Sequence, residues 1–154
     1  MLIKYLIDED ITNYKKICMT IGFPNCDFKC GKELCQNSPI AKMENIEISY
    51  AAIVKRYLDN PLSEAICFQG LEPFDSPHDL MFLIEEFRKY TNDDIIIYTG
   101  YYWDEISCYI SLLIKSFKNI IIKYGRYIPN QKSHFDEVLG IELSSDNQYA
   151  EKIS

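Results

Sequence analysis

The chain has 154 residues, a formal net charge of −7, and 47% hydrophobic against 25% charged residues. That is apolar material enough for one domain, 1–154, with a proper core, and too little chain for a complete eight-fold (β/α) barrel, which needs about 200 residues or more. The acidic balance argues against a nucleic-acid binder, no apolar run nears the roughly 18 residues of a membrane span, and the opening stretch, broken by Lys4, Asp8, Glu9 and Asp10, is no signal peptide.

Leu2 to Ile7 predicts a short edge strand and Asp8 to Lys16 a polar loop. The apolar run Ile17 to Phe23 predicts the first buried strand. It opens onto Phe23 to Pro39, where Cys26, Cys30 and Cys35 stand among Pro, Asn, Asp, Gly and Lys, the composition of an exposed loop. Without a secretory signal the cysteines read as reduced thiols in a cytoplasm, and three of them in a polar segment have no core to fill, so they read as metal ligands. Their place just past a strand end is where α/β sheets hold ligands. Structural zinc takes four protein ligands, whereas a 4Fe-4S cluster held by three cysteines keeps one iron open. A fourth ligand from Cys18, Cys67 or Cys108 stays open. Cys18 and Cys67 lie in strand-like runs and Cys108 in a helical pattern, where a free cysteine usually serves as a small buried hydrophobe.

Glu47 to Leu58 predicts a helix with Ala51, Val54, Tyr57 and Leu58 on its apolar face, ended by Asn60-Pro61, and Ala65 to Phe68 the second strand. The turn Gln69-Gly70-Leu71-Glu72-Pro73-Phe74 follows. Gly70 can take positive φ or bring backbone close to a ligand, and Glu72 offers a carboxylate, although such a turn by itself is only a turn. Ser76-Pro77 opens a helix with a Leu80, Leu83, Ile84, Phe87 stripe, in whose first turn His78 has a surface or capping place. Asp94 to Tyr98 is the third strand. Thr99-Gly100 after it are ordinary turn formers that also suit a ligand-binding strand end. A helix over Ile106 to Phe117, with Ile106, Ile110, Leu113, Ile114 and Phe117 inward, leads to the fourth strand, Asn119 to Tyr124. Strands joined by helices make βαβ units and a parallel sheet, so the cysteine loop, the Gly70 turn and Thr99-Gly100 are expected at one edge. In the tail, Gly125-Arg126-Tyr127-Ile128-Pro129 and Ser144-Ser145-Asp146-Asn147-Gln148 stand out, and His134 between them reads as solvated or partner-facing.

Taken in order, these motifs resemble the radical S-adenosylmethionine (SAM) enzymes, within them the small activating proteins of anaerobic ribonucleoside-triphosphate reductase. That family spaces its cysteines Cys-x3-Cys-x2-Cys; here the spacing is Cys-x3-Cys-x4-Cys, with Cys35-Gln36-Asn37-Ser38-Pro39 closing the loop and Leu34 where the family commonly puts an aromatic side chain near the adenine. Gly70-Leu71-Glu72-Pro73 stands for Gly-Gly-Glu-Pro, Thr99-Gly100-Tyr101 for a Thr-Gly-Tyr, and the tail for a Gly-rich turn and a Ser-Ser-Asn-Gln signature with Asp146 inserted. The resemblance implies an α/β fold, a partial (β/α) barrel on a parallel sheet. It implies a 4Fe-4S cluster on Cys26, Cys30 and Cys35, and SAM contacts from Leu34, Gly70, Glu72, Thr99 and Gly100. The implied activity is reductive cleavage of SAM to place a glycyl radical on a large partner, anaerobic ribonucleotide reductase, with flavodoxin or ferredoxin as electron donor. Another glycyl-radical enzyme or a peptide as target, and a non-catalytic zinc-binding interaction module, are the alternatives. Tyr101, Tyr102 and Trp103 read either as a docking surface or as packing against the chain's own next helix.

Overall fold

A computed structural model describes residues 1–154. In chain order its elements are β1 (Leu2–Ile3), β2 (Tyr5–Asp10), β3 (Cys18–Phe23), α1 (Ser38–Ala41), β4 (Ile46–Glu47), α2 (Tyr50–Leu58), β5 (Ala65–Gly70), α3 (Pro77–Arg88), β6 (Asp94–Tyr98), α4 (Ser107–Ser116), β7 (Ile120–Tyr124), β8 (His134–Asp136), β9 (Ile141–Leu143) and β10 (Tyr149–Lys152). Short 3-10 turns at Pro73–Asp75 and Trp103–Ile106 precede α3 and α4.

The central sheet has six strands in the order β10-β7-β6-β5-β3-β2. Its middle four, β3, β5, β6 and β7, are parallel, as the βαβ reading expects. The sheet as a whole is mixed, because β2 and β10 add antiparallel at the two edges. β1 and β4 form a separate antiparallel pair, as do β8 and β9.

Strand alternation sorts the core into two sides. Met19, Ile21 and Phe23, Ile66 and Phe68, Ile95 and Ile97, and Ile120 and Ile122 bury against α2, α3 and α4. Cys18, Ala65, Cys67, Ile96 and Ile121 face the other way and are covered by Tyr14, Leu139, Leu143 and Ala150. The tail therefore roofs one face of the sheet with the β8–β9 hairpin. Lys15 N–H donates to Leu139 O at 2.8 Å, seating the hairpin on the segment before β3.

Several expectations are corrected. Asp8 to Asp10 is strand, not loop: the Asp10 carboxylate is satisfied by Thr12 N–H, the Thr12 and Thr20 hydroxyls and Asn13 Nδ2, so a polar sequence can pair. Helix α2 starts at Tyr50 behind Ser49, whose hydroxyl caps Ala52 N–H, and buries Ile53, Val54 and Tyr57; Ala51 and Leu58 are exposed. On α4, Ile114 is exposed and the extended backbone of Phe117 ends the helix. Cys108 is exposed too, since Ile110 and Leu113 define the buried side and Cys108 falls outside it. Cys18 and Cys67 are the buried small side chains expected.

Candidate metal centre

The cysteine loop begins where β3 ends and is stitched to the turn after β5. Leu71 N–H donates to Phe23 O at 3.2 Å and Glu72 N–H to Asn25 O at 2.8 Å. Asn25 Nδ2 reaches Ser76 Oγ at 3.0 Å, Asp27 N–H reaches Asp75 Oδ2 at 2.8 Å, and Asn37 Nδ2 reaches Gly70 O at 2.8 Å. Both ends of the loop are thus fixed, while the stretch between turns on itself through Gly31 N–H to Phe28 O and Cys35 N–H to Gly31 O. Phe28 and Gly31 take positive φ. Gly70 is required where it stands: its φ is +101° and an added Cβ would lie 2.6 Å from Phe23 N.

Cys26, Cys30 and Cys35 are half-buried and unbridged. All three line one cavity of about 380 Å³, together with Gly70, Glu72, Thr99, Gly100 and Lys123. The parallel strands thus bring their C-terminal ends together as expected. None of Cys18, Cys67 and Cys108 lines the cavity, so no fourth cysteine completes a closed zinc tetrahedron. Three soft thiols lining one cavity without a fourth would suit an iron–sulfur cluster that keeps one iron open to an outside ligand. Burial pushes the Cys26 thiol up to about 12, with Glu72 and Asp75 adding to it. Burial, with Cys35 beside it, pushes Cys30 up to about 11, and Arg126 opposes the rise. These thiols hold their protons at neutral pH until a metal displaces them. Phe28 N–H already points at Cys26 Sγ, at 3.2 Å. A mixed donor group also exists: Cys26 Sγ and the carboxylates of Asp27 and Asp75 lie within 4.8 Å of one another. Those carboxylates are engaged, with Tyr101 Oη 2.6 Å from Asp75 Oδ1 and 3.1 Å from Asp27 Oδ2.

The same cavity presents two buried ionisable groups of opposite sign, Glu72 and Lys123. Glu72 accepts Gly100 N–H at 2.8 Å and Phe74 N–H at 3.2 Å. Burial raises its carboxyl to about 7, against the pull of the Gly100 N–H. Lys123, 7% exposed, has its Nζ 5.6 Å from the Tyr98 ring centre and makes no hydrogen bond or ion pair. Burial lowers it to about 8, with Glu72 resisting. Thr99 is buried, its hydroxyl accepting Tyr101 N–H at 3.0 Å. Leu34 is 58% exposed and lies outside the cavity lining.

The tail closes the far wall with Tyr127, Ile141 to Ser144 and Gln148. Its two sequence signatures hold each other: Gln148 Nε2 donates to Gly125 O at 3.3 Å and Asn147 Nδ2 to Arg126 O at 2.8 Å. His134 is only partly open to solvent. It lies in β8, half-buried, with its Nδ1 enclosed and its ring 5.7 Å from that of Tyr149. His78 is exposed, stacked on Phe82. Of the aromatic trio, Trp103 packs on Tyr124, Tyr101 bonds Asp75 and Tyr102 lies under Arg126, so these contacts are with β7 and the loops around the cysteines rather than with the next helix.

Sequence reasoning missed Lys123, Asn37 and Asp75. Lys123 had a visible signal, a charge inside an otherwise apolar strand at its C-terminal end. Asn37 and Asp75 had none beyond lying in the loops. The 4Fe-4S single cluster domain family matches residues 17–149, a span that holds every residue of this cavity except Thr12 and Asn13. No curated protein and no solved structure matches the chain.

Proposed function

The chain belongs to the 4Fe-4S single cluster domain family, and from that premise we propose that it is a radical SAM activase, which cleaves SAM reductively and leaves a glycyl radical on anaerobic ribonucleotide reductase. The observation that carries the reading is the cavity itself, which is lined by three thiols with no fourth, by a buried carboxyl and by a buried amine. Cys26, Cys30 and Cys35 hold the cluster. A cluster bound there would supply the single electron for reductive cleavage of the SAM C5′–S bond to methionine and a 5′-deoxyadenosyl radical.

The chain's own residues bind and orient. Glu72, held by two backbone N–H groups, takes the amino group of the methionine end, and Lys123 takes its carboxylate. This fixes the sulfonium beside the thiol wall before any electron moves. Gly70 lets the backbone approach, and the tail keeps water from the far side. The four parallel strands with helices on one face are read as part of a (β/α) barrel. The glycine to be oxidised comes from a large partner that covers the remaining mouth, and a flavodoxin or ferredoxin supplies the electron.

Anaerobic reconstitution with iron and sulfide, reduction, and addition of SAM test the proposal. Methionine and 5′-deoxyadenosine are expected, and with the reductase present a glycyl-radical doublet in electron paramagnetic resonance (EPR). A reduced, cluster-loaded protein that never yields 5′-deoxyadenosine, with or without its partner, refutes it. The mixed Cys26, Asp27 and Asp75 group favours a second reading, a zinc-binding module, and metal analysis after anaerobic purification separates the two.

A further inference from the structure

We propose that Arg126 raises the reduction potential of the cluster, favouring its reduced form through a positive charge held in place behind Cys26 and Cys30. The inference rests on the reading of Cys26, Cys30 and Cys35 as cluster ligands and adds a residue that neither the cysteine spacing nor the SAM cavity assigns.

Two cavities flank the cysteine pair. The large one faces Lys123 and the tail. Behind it a gap of about 20 Å³ is lined by Cys26 and Cys30, by the cations Lys29 and Arg126, and by the carboxylates Asp27 and Glu72, with Gly100 and Tyr101 completing it. Gly125 places Arg126 there. Its φ is +99° and an added Cβ would sit 2.6 Å from Asn147 O, so the chain after β7 turns sharply and Arg126 comes back toward the cysteine loop. The guanidinium is fixed twice, by Nη2 on Glu105 Oε1 at 2.6 Å and by the Tyr102 ring, 4.6 Å away. Of the ion pair only Arg126 lines the gap; of the two carboxylates there, Asp27 pairs with Lys29 at 3.5 Å and Glu72 accepts the Gly100 and Phe74 N–H groups, so neither is bonded to Arg126. The side chain of Arg126 is 18% exposed, against 50% for Lys29, the other cation of the gap. Solvent screens Lys29 more, and Arg126 keeps its charge at every working pH.

Arg126 lines this gap together with both Cys26 and Cys30, which places its charge next to the thiols that would hold the cluster. A cluster on three thiolates is already anionic, and reduction adds one electron from an external low-potential donor, with no bond made or broken and no proton moved. Nearby charge is one of the levers that set such potentials, and a cation held close favours the added electron. Arg126 therefore acts on the potential and touches neither SAM nor the iron, which makes it a positioning residue of charge.

The test is a redox titration of the reconstituted full chain without SAM, following the EPR signal of the reduced cluster. Arg126→Gln is expected to keep its iron and sulfide and to shift to a more negative midpoint, Arg126→Lys to restore most of the wild-type value, and Lys29→Gln to shift less than Arg126→Gln. An Arg126→Gln midpoint equal to wild type overturns the inference. If Arg126→Gln does not load, Arg126→Lys and Tyr102→Leu decide. The inference expects a near-wild-type midpoint from the first and a more negative one from the second, and equal midpoints, or loss of the cluster in Arg126→Lys, make Arg126 a structural brace. A wild-type chain that takes up no iron–sulfur cluster refutes the proposed function as well. A wild type that loads and cleaves SAM beside an unshifted Arg126→Gln refutes this inference alone.

Discussion

Replacing Lys123 with methionine is expected to make the protein more stable and less able to bind SAM. The side chain is 7% exposed and has no hydrogen-bond partner, and burial lowers its ammonium to about 8. Against an ordinary lysine near 10.4, and at about 1.4 kcal/mol per tenfold, the ionised form costs the fold about 3 kcal/mol. The sign follows from the direction. The folded state holds the proton less tightly than the unfolded one, so the cost is present in full below about pH 8, fades as pH rises toward about 10.4, and is gone above. Methionine keeps an unbranched side chain and removes the charge. In a chain of this size about 3 kcal/mol corresponds to roughly 6–12 °C in Tm. Glu72 loses a favourable neighbour in the variant and takes back part of that gain above pH 7. Thermal unfolding of the metal-free chain, followed by circular dichroism under reducing conditions at pH 7 and pH 10.5, is the assay. A clear gain at pH 7 that shrinks at pH 10.5 is expected. A variant no more stable than wild type at pH 7, or a gain of equal size at both pH values, refutes the picture of an unpaired buried charge.

Anaerobic reconstitution of Cys26→Ala, Cys30→Ala and Cys35→Ala is expected to give no visible iron–sulfur absorbance, while Cys18→Ala, Cys67→Ala and Cys108→Ala load normally. Loss in Cys18→Ala would show that the three-ligand count is wrong. Gly70→Ala should destabilise the chain by at least about 2 kcal/mol in urea unfolding, since it combines positive φ with backbone overlap at Phe23. Wild-type stability should fall by about 3 kcal/mol as pH rises from about 4.3 to 7, because Glu72 holds its proton more tightly when folded. That contribution should vanish in Glu72→Gln, and an unchanged pH profile in the variant would assign the fall to other groups.

The elements that position the site were legible because strands and helices write their periods into apolar residues. The runs Cys18 to Phe23, Ile95 to Ile97 and Ile120 to Ile122 are buried on both faces and read as nearly continuous apolar strands. The failures share one cause, which is that contact decides what periodicity leaves open. Cys108 and Ile114 belong to an apolar helix with only one side to bury, and the pattern of α4 offers more apolar residues than that side accepts. Asp8 to Asp10 is polar by composition, and only the four donors around Asp10 make it a strand end. The antiparallel edge β10 was invisible because Tyr149–Lys152 has no apolar alternation; its place comes from pairing with Tyr124 to Ile121. At the site, Cys26 could be named from the cysteine cluster, and Gly70 and Glu72 from the family motif their turn resembles, whereas the stitches from Asn37 and Asp75 depend on two loops meeting in space.

The tail changes what so short a chain can do. Four parallel strands with helices on one face leave the other face bare, and a barrel normally closes it with more strands. Here β10 returns along β7, and the β8–β9 hairpin lays Leu139 and Leu143 over Cys18, Cys67, Ile96 and Ile121. The hairpin's second strand then continues as the cavity wall through Ile141 to Ser144. One segment thus supplies both the missing half of the hydrophobic interior and the far side of the site. Its attachment runs through Gly125, pressed against Asn147 O, and through Gln148 on Gly125 O. The same turn carries Arg126 to the back of the cysteine loop. Closure of the cavity and the charge behind Cys30 are therefore one structural event, and a disturbance of the Gly125 turn would reach both walls of the site together.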